Sequence, residues 1–270
     1  MNFQTLQKVE AYTFYLDYAF SNAKKRIQII KQRKPKKQDN ETYARYQKYL
    51  EIERVKEATK FLEEKLTTIH KKFPQFDDLP EFYQELAKLT INVDETKKSL
   101  AAIKWAVFQC KAVRNNTVPA IKQARTKTEL QATTKQFYGR VSSIIKQIRA
   151  SFATLEQTRK QMKLWPDVKT EIRTIAIAGY PNVGKSSLLK ALTGTNPEIK
   201  AYAFTTKRLN VGYFEAEPRT YQVIDTPGTF DRSREHMNTI EKQAFLVLDY
   251  LAEKILYVFD PSESCGYAVE

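Results

Sequence analysis

The sequence predicts two domains of different class, an antiparallel bundle of α-helices over residues 1–166 followed by an α/β domain over residues 167–270. Three observations carry this expectation. Apolar residues recur at helical spacing through the first part. Six of the seven glycines lie in the last hundred residues. In that same part a short apolar run, a glycine-rich loop and a second helical pattern follow one another directly. A chain of 270 residues has room for both domains.

In the first part, Leu6, Tyr12, Phe14, Tyr15, Tyr18 and Ala19 suggest one helix over residues 3–30. Ile52, Val55, Ala58, Leu62, Leu66 and Ile69 mark one apolar face of a second. Further helices are expected over residues 79–89, 95–115 and 126–138. Between Arg140 and Lys163 the stripe Val141, Ile144, Ile145, Ile148, Phe152 and Leu155 predicts another. Helices joined by short connections pack most simply as an antiparallel bundle. The boundary is expected at Leu164-Trp165-Pro166-Asp167, where the helical pattern meets a proline that disfavours helix in the residue before it.

In the second part, Thr174-Ile175-Ala176-Ile177-Ala178 has the length and composition of a buried strand. Leu188, Leu189 and Leu192, closed by Gly194, predict a helix with its C-terminal cap. Residues 211–214 and 220–224 read as a hairpin turning at Glu217-Pro218-Arg219, and residues 255–259 as a further strand.

Charge divides the chain at the same place. Residues 1–170 hold 34 basic and 18 acidic side chains, net +16, whereas residues 171–270 hold 11 and 13, net −2. From Lys97 to Lys163 there are 15 basic residues, against only Glu129 and Glu156. Lys104, Lys111, Arg114, Lys122, Arg125, Lys127, Arg140, Lys146 and Arg149 belong to this stretch. A solvated helix face normally mixes signs for i,i+4 pairing, so this excess favours a polyanion over mere solubility. The run Lys31-Gln32-Arg33-Lys34-Pro35-Lys36-Lys37 is less specific, compatible with a solvated loop, a phosphate-contacting loop or a localisation signal.

Other classes are disfavoured. No apolar run approaches the ~20 residues of a membrane span, and the first residues do not read as a secretory signal. Two cysteines, Cys110 and Cys265, and two distant histidines, His70 and His236, offer neither a disulfide framework nor zinc spacing.

The loop Gly179-Tyr180-Pro181-Asn182-Val183-Gly184-Lys185-Ser186-Ser187 fits G-x-x-x-x-G-K-[ST] at every fixed position. A triphosphate needs many donors at short range. Backbone N–H groups of such a loop supply them, and the helix N-terminus adds a favourable dipole. Lys185 is expected to bridge the β- and γ-phosphates, and Ser186 to ligate Mg²⁺. Forty residues after Lys185, an apolar strand ends in Asp225-Thr226-Pro227-Gly228. Asp225 can hold the Mg²⁺ shell and Gly228 can present its N–H to a γ-phosphate. The polar segment Ala201-Tyr202-Ala203-Phe204-Thr205-Thr206-Lys207 is where a switch threonine is expected.

These motifs, with Asp260-Pro261-Ser262-Glu263-Ser264-Cys265-Gly266-Tyr267, resemble the GTPase core of the Nog1 proteins, in the Obg-related branch of TRAFAC GTPases. Leu79-Pro80-Glu81-Phe82-Tyr83 and the basic stretch resemble the helical bundle that precedes it in that family. The resemblance implies a P-loop GTPase (Ras-like) α/β domain, with GTP or GDP and Mg²⁺ as cofactors. It makes Thr206 the switch threonine on Mg²⁺, Asp225 the holder of a Mg²⁺ water and Gly228 the γ-phosphate sensor. An asparagine placed like Asn182 implies K⁺ as a further cofactor. Implied partners are ribosomal RNA and the large ribosomal subunit precursor, with no membrane and a monomer when free. A cytoplasmic setting is expected, nucleolar in a eukaryote. Thr229 follows Gly228 where a Ras-like protein uses glutamine, so hydrolysis is expected to be slow or partner-activated.

The family pattern also includes Asn-Lys-x-Asp, which reads guanine, and these 270 residues contain none. The α/β domain is accordingly expected to be incomplete. Ile255, Leu256, Val258 and Phe259 would then form an exposed sheet edge, and GTP would be little preferred over ATP. The competing expectation is an RNA-binding helical module whose G domain is catalytically silent. An ATP-using enzyme is disfavoured, because no acidic residue follows Asp225.

Overall fold

The computed structural model describes residues 3–32, 40–194, 198–201, 208–216, 218–226 and 239–266. The chain falls into two compact units, one comprising Gln7–Phe73 and Asp94–Arg159, the other Met1–Leu6, Pro74–Val93 and Lys160–Glu270.

The first unit is helical. It holds α1 (Tyr12–Gln32), α2 (Asn40–Lys72), nearly all of α4 (Val93–Gln123), α5 (Lys127–Gln147) and α6 (Arg149–Met162) as far as Arg159. The predicted stripes supply its core: Val55, Ala58, Leu62 and Leu66 from α2, Val141 and Ile145 from α5, and Phe152 and Leu155 from α6 are all buried. Tyr15 stacks on Phe152 with ring centroids 5.0 Å apart. A small polar knot lies among these groups. Two guanidinium nitrogens of Arg159, Nε and Nη2, donate to the Glu156 carboxylate at 2.7 Å, and the Val9 N–H donates to the same carboxylate at 2.9 Å. Thr126 caps α5 by accepting from the Glu129 N–H, while Glu129 accepts from the Arg125 N–H, a reciprocal capping box.

Three expectations for the helices are corrected. The helix predicted over residues 3–30 starts at Tyr12, and Phe3–Thr5 forms a separate 3₁₀ turn, because Phe3 packs edge-on against Tyr83 and Trp165. Phe14 and Tyr18 of the predicted stripe are 43% and 46% exposed, and α1 instead buries Tyr15, Leu16, Ala19, Ala23 and Ile27. The helices predicted over residues 126–138 and between Arg140 and Lys163 part instead at Ile148, whose φ/ψ of −93°/16° ends α5, while the helix runs on through Gly139.

The second unit carries the sheet, in the order β2-β3-β4-β1-β5. These strands are β1 (Thr174–Ala178), β2 (Glu198–Ala201), β3 (Arg208–Ala216), β4 (Arg219–Asp225) and β5 (Ala252–Tyr257). β1 runs parallel to β4 and β5, and the hairpin of β3 and β4 is antiparallel as predicted. β2 was not legible in the sequence, and nor was α8 (Thr239–Tyr250). Ile177, Leu189 and Val223 form the sheet's apolar centre, with Leu188, Phe214 and Val258 against it. Ile255, Leu256, Tyr257 and Phe259 are exposed along the edge strand and just beyond it, whereas Val258 is partly buried.

The boundary expected at Pro166 is not where the compact units part. α3 (Glu81–Thr90), expected within the bundle, groups with the sheet and packs on α8. Buried polar bonding explains this grouping. The Tyr83 hydroxyl donates to the Pro166 carbonyl at 2.8 Å and accepts from the Val168 N–H at 3.1 Å. The Trp165 indole N–H donates to Thr90 Oγ1 at 3.0 Å. Gln222, fully buried on β4, accepts from the Lys169 N–H and donates to Thr174 Oγ1, fixing the approach to β1.

Candidate functional site

The phosphate-binding loop is built where β1 ends. Gly179 has φ 144°, and a Cβ added there would lie 2.6 Å from the Val258 carbonyl oxygen, so the loop leaves the sheet under a constraint that only glycine meets. Asn182 adopts φ 64° and Gly184 φ 92°, two left-handed residues that turn the chain into α7 (Lys185–Thr193). The predicted C-terminal cap, Gly194, is left-handed as well, at φ 65°. Lys185 is buried and donates to the Tyr180 carbonyl at 2.6 Å, folding its side chain back over the loop.

Parallel pairing of β1 with β4 sets Ile177 opposite Asp225 and so brings the second motif to the first. The Ser186 hydroxyl donates to Asp225 Oδ2 at 2.5 Å, and Asn210 Nδ2 donates to the same oxygen at 3.1 Å. Asp225 is buried, and among the described residues its Oδ1 has no hydrogen-bond partner. Thr226 returns to β1, its hydroxyl and its N–H both donating to the Ile177 carbonyl. Ser186 and Asp225 present only oxygen donors, one of them a buried carboxylate oxygen left unsatisfied by the described residues, and this set fits a small hard cation such as Mg²⁺. Thr206 and Gly228, expected to complete the site, lie outside the described residues.

Asn210 is a site residue that the sequence reading missed. Its signal was the register of the hairpin, which pairs Asn210 with Asp225. Gln222 was missed too, since a glutamine inside an apolar strand reads only as a break in the pattern.

The basic candidates lie on α4, α5 and α6 and the turn between α4 and α5. Lys104, Lys111, Lys122, Arg125, Lys127, Arg140, Lys146 and Arg149 are exposed, and Arg114 is half-buried. They are less uniformly unpaired than the stretch alone suggested. Glu63 of α2 lies 2.8 Å from Arg114 Nη1 and 3.6 Å from Lys111 Nζ, a partner that comes from another helix and is therefore invisible in a local count. Lys146 and Arg149 line a shallow open depression of about 510 Å³, and Arg125 and Lys127 line a deeper one of about 620 Å³. Among the described residues no helix is long and apolar enough to cross a membrane.

Comparison with known proteins divides the chain between residues 169 and 174, and not where the compact units part. Residues 3–169 match the family model of the NOG1 N-terminal helical domain, and residues 174–269 match that of the 50S ribosome-binding GTPase. An uncharacterized protein of Methanocaldococcus jannaschii is 41% identical over 83% of this chain and 62% of its own length. Nucleolar GTP-binding protein 1 of Saccharomyces cerevisiae is 37% identical over 77% of this chain and 32% of its own. The protein of the same name from Candida glabrata is 35% identical over 81% and 34%. The matches thus span less than two thirds of each relative.

Proposed function

The chain belongs to the NOG1 family, and on that premise we propose that it is a GTP-binding protein acting in biogenesis of the large ribosomal subunit. In this reading it hydrolyses GTP to GDP and phosphate. Its basic helices bind ribosomal RNA, and its nucleotide state controls association with the precursor particle. The observation that carries the nucleotide reading is the meeting of Ser186 and Asp225 beneath a loop turned by left-handed residues.

The loop N–H groups between Gly179 and Ser187 bind the phosphate oxygens. Lys185 exchanges the Tyr180 carbonyl for β- and γ-phosphate oxygens. Ser186, Asp225 and Thr206 would hold Mg²⁺, which supplies charge neutralisation at the β- and γ-oxygens. Asn210 keeps Asp225 Oδ2 oriented, and the Ser186 hydroxyl, whose proton goes to that oxygen, would help hold the cation through its free lone pairs. Gly228 offers its N–H to the γ-phosphate. With Thr229 after Gly228 no glutamine orients the attacking water there, so turnover is slow without a partner. Asn182, left-handed on the loop, is the residue proposed to help hold K⁺. Equal turnover in K⁺ and Na⁺ buffers would remove that ion from the scheme.

Phosphate release from GTP tests the reading. It should be measurable with the native chain and lost in Lys185→Ala. Release unchanged by the substitution contradicts it, and RNA binding without any release leaves the catalytically silent module. RNA binding by the basic helices should weaken steeply between low and physiological salt.

A further inference from the structure

The groove of about 620 Å³ in the helical unit has the composition of a nucleotide site. It opens where the end of α1, the first half of α2, the turn between α4 and α5, and α5 itself come together. Among the described residues six cations line it, Lys31, Lys48, Arg54, Arg125, Lys127 and Lys135, against the single carboxylate of Glu51. Its volume falls within the ~300–1,000 Å³ typical of small-molecule pockets, ample for one nucleotide.

Two features separate this groove from a general basic surface. Tyr43, 53% exposed, and Tyr138, half-buried, are aromatic faces within the ring of cations. An unpaired base stacks on such faces while its phosphates meet Lys and Arg. In the wall, Arg54 Nε and Glu51 Oε2 are both buried without a hydrogen-bond partner among the described residues, although the two residues also face each other at 3.3 Å through Arg54 Nη1 and Glu51 Oε1. This leaves one buried donor beside one buried acceptor. A phosphate, which only accepts, satisfies the first alone. The edge of a nucleobase carries both kinds of group and can satisfy both once the two side chains turn towards the groove, since neither atom is open to it as they stand. Glu129, the nearest acid in sequence to the turn, caps α5 and lies close enough to Arg125 to offset part of its charge, so the groove's cationic character rests chiefly on its other basic side chains.

We propose that this groove binds one unpaired RNA nucleotide, its base stacked on Tyr43 and Tyr138 and directed at Arg54 and Glu51, its flanking phosphates on Arg125, Lys127 and Lys135. The inference rests on the reading of the helical unit as RNA-binding and adds to it an address and a preference for single strands.

The test is fluorescence-anisotropy titration of the full chain with an eight-nucleotide single-stranded RNA, the same backbone without bases, an RNA duplex, and poly-glutamate as competitor. The expected result is that removing the bases, pairing them, or substituting Tyr43→Ala each weakens binding about tenfold, the scale of one lost base–aromatic stack. Lys127→Ala should weaken it more than Lys60→Ala, an exposed cation of α2 outside the groove. If the chain binds RNA but the abasic backbone or Tyr43→Ala binds equally well, the groove site falls while the RNA-binding reading stands. Absence of binding to every RNA overturns both. Displacement of the RNA by poly-glutamate at lower concentration than by unlabelled RNA assigns the groove to an acidic protein segment and overturns the proposal. Circular dichroism of each variant separates loss of fold from loss of contact.

Discussion

Ser186 and Asp225, 39 residues apart, meet at 2.5 Å because β1 and β4 pair in parallel and end together. Only one oxygen of the carboxylate is satisfied by this contact and by Asn210, while Oδ1 lies buried with no donor to it among the described residues. Desolvating a carboxylate oxygen without a partner is costly. A cation at this point relieves that cost, so Mg²⁺ and nucleotide should reinforce each other. Asp225→Asn is expected to lower Mg²⁺-dependent nucleotide affinity about 10- to 100-fold, the scale seen when a metal's supporting groups are lost. The affinity measured in EDTA should change much less. Titration of a fluorescent guanine nucleotide with and without Mg²⁺ reads both values, and an equal loss in the two buffers argues against the ion.

The loop glycines should differ in what replacement costs. A Cβ on Gly179 meets the Val258 carbonyl at 2.6 Å, whereas one on Gly184 meets nothing within 4 Å and has only its φ of 92° to contend with. Strain from left-handed backbone alone is about 1–3 kcal/mol. Gly179→Ala should therefore destabilise the sheet unit by more than Gly184→Ala. Urea unfolding of the two variants decides it, and equal midpoints would mean that the loop yields freely.

Tyr83 ties α3 to the segment entering β1 through a buried hydroxyl that both donates to Pro166 and accepts from Val168. Removing the hydroxyl leaves the Val168 N–H without its tyrosine acceptor. Tyr83→Phe is expected to cost about 1–3 kcal/mol, the penalty for orphaning a buried polar group. Thermal or urea unfolding measures this, and a loss below about 0.5 kcal/mol would mean that water or a shifted backbone replaces the bond.

The loop and the hairpin were legible because their signals are local. Fixed residues at fixed spacing mark Gly179 to Ser187, and alternation across a proline turn marks β3 and β4. The grouping of α3 was not legible, because it depends on Tyr83 reaching residues more than 80 positions away, a bond without periodicity. Pro166 looked like a boundary on sound local grounds, yet its carbonyl accepts one of the buried bonds that hold the sheet unit together. The site was half-legible for the same reason. Ser186 and Asp225 stand in motifs, while Asn210 joins them only through strand register. The charge count found the basic helices but not Glu63, which meets Arg114 and Lys111 from a different helix.

Stability should fall at alkaline pH in a way that the buried acids dictate. Burial pushes the Cys110 thiol up to about 12 from its ordinary 9.0, with the nearby charge of Glu63 adding to it. Burial likewise raises the Tyr15, Tyr83 and Tyr138 hydroxyls above 10.0. For each group the folded state holds its proton more tightly than the unfolded chain does. The stabilisation is therefore fully present below the unfolded value and is lost as pH rises towards the folded one. Unfolding free energy should be flat from pH 7 to about 8.5, then decline between about 9 and 12 as the unfolded chain sheds protons that the native state retains. Cys110→Ala should be less stable at neutral pH because of the cavity it leaves, yet its decline between pH 9 and 12 should be shallower. In the native protein at neutral pH, iodoacetamide should modify Cys265, which is partly accessible, and leave Cys110 untouched until denaturant is added. Rapid alkylation of both thiols, or an identical alkaline slope in Cys110→Ala, would show that the Cys110 thiol is not held neutral by burial.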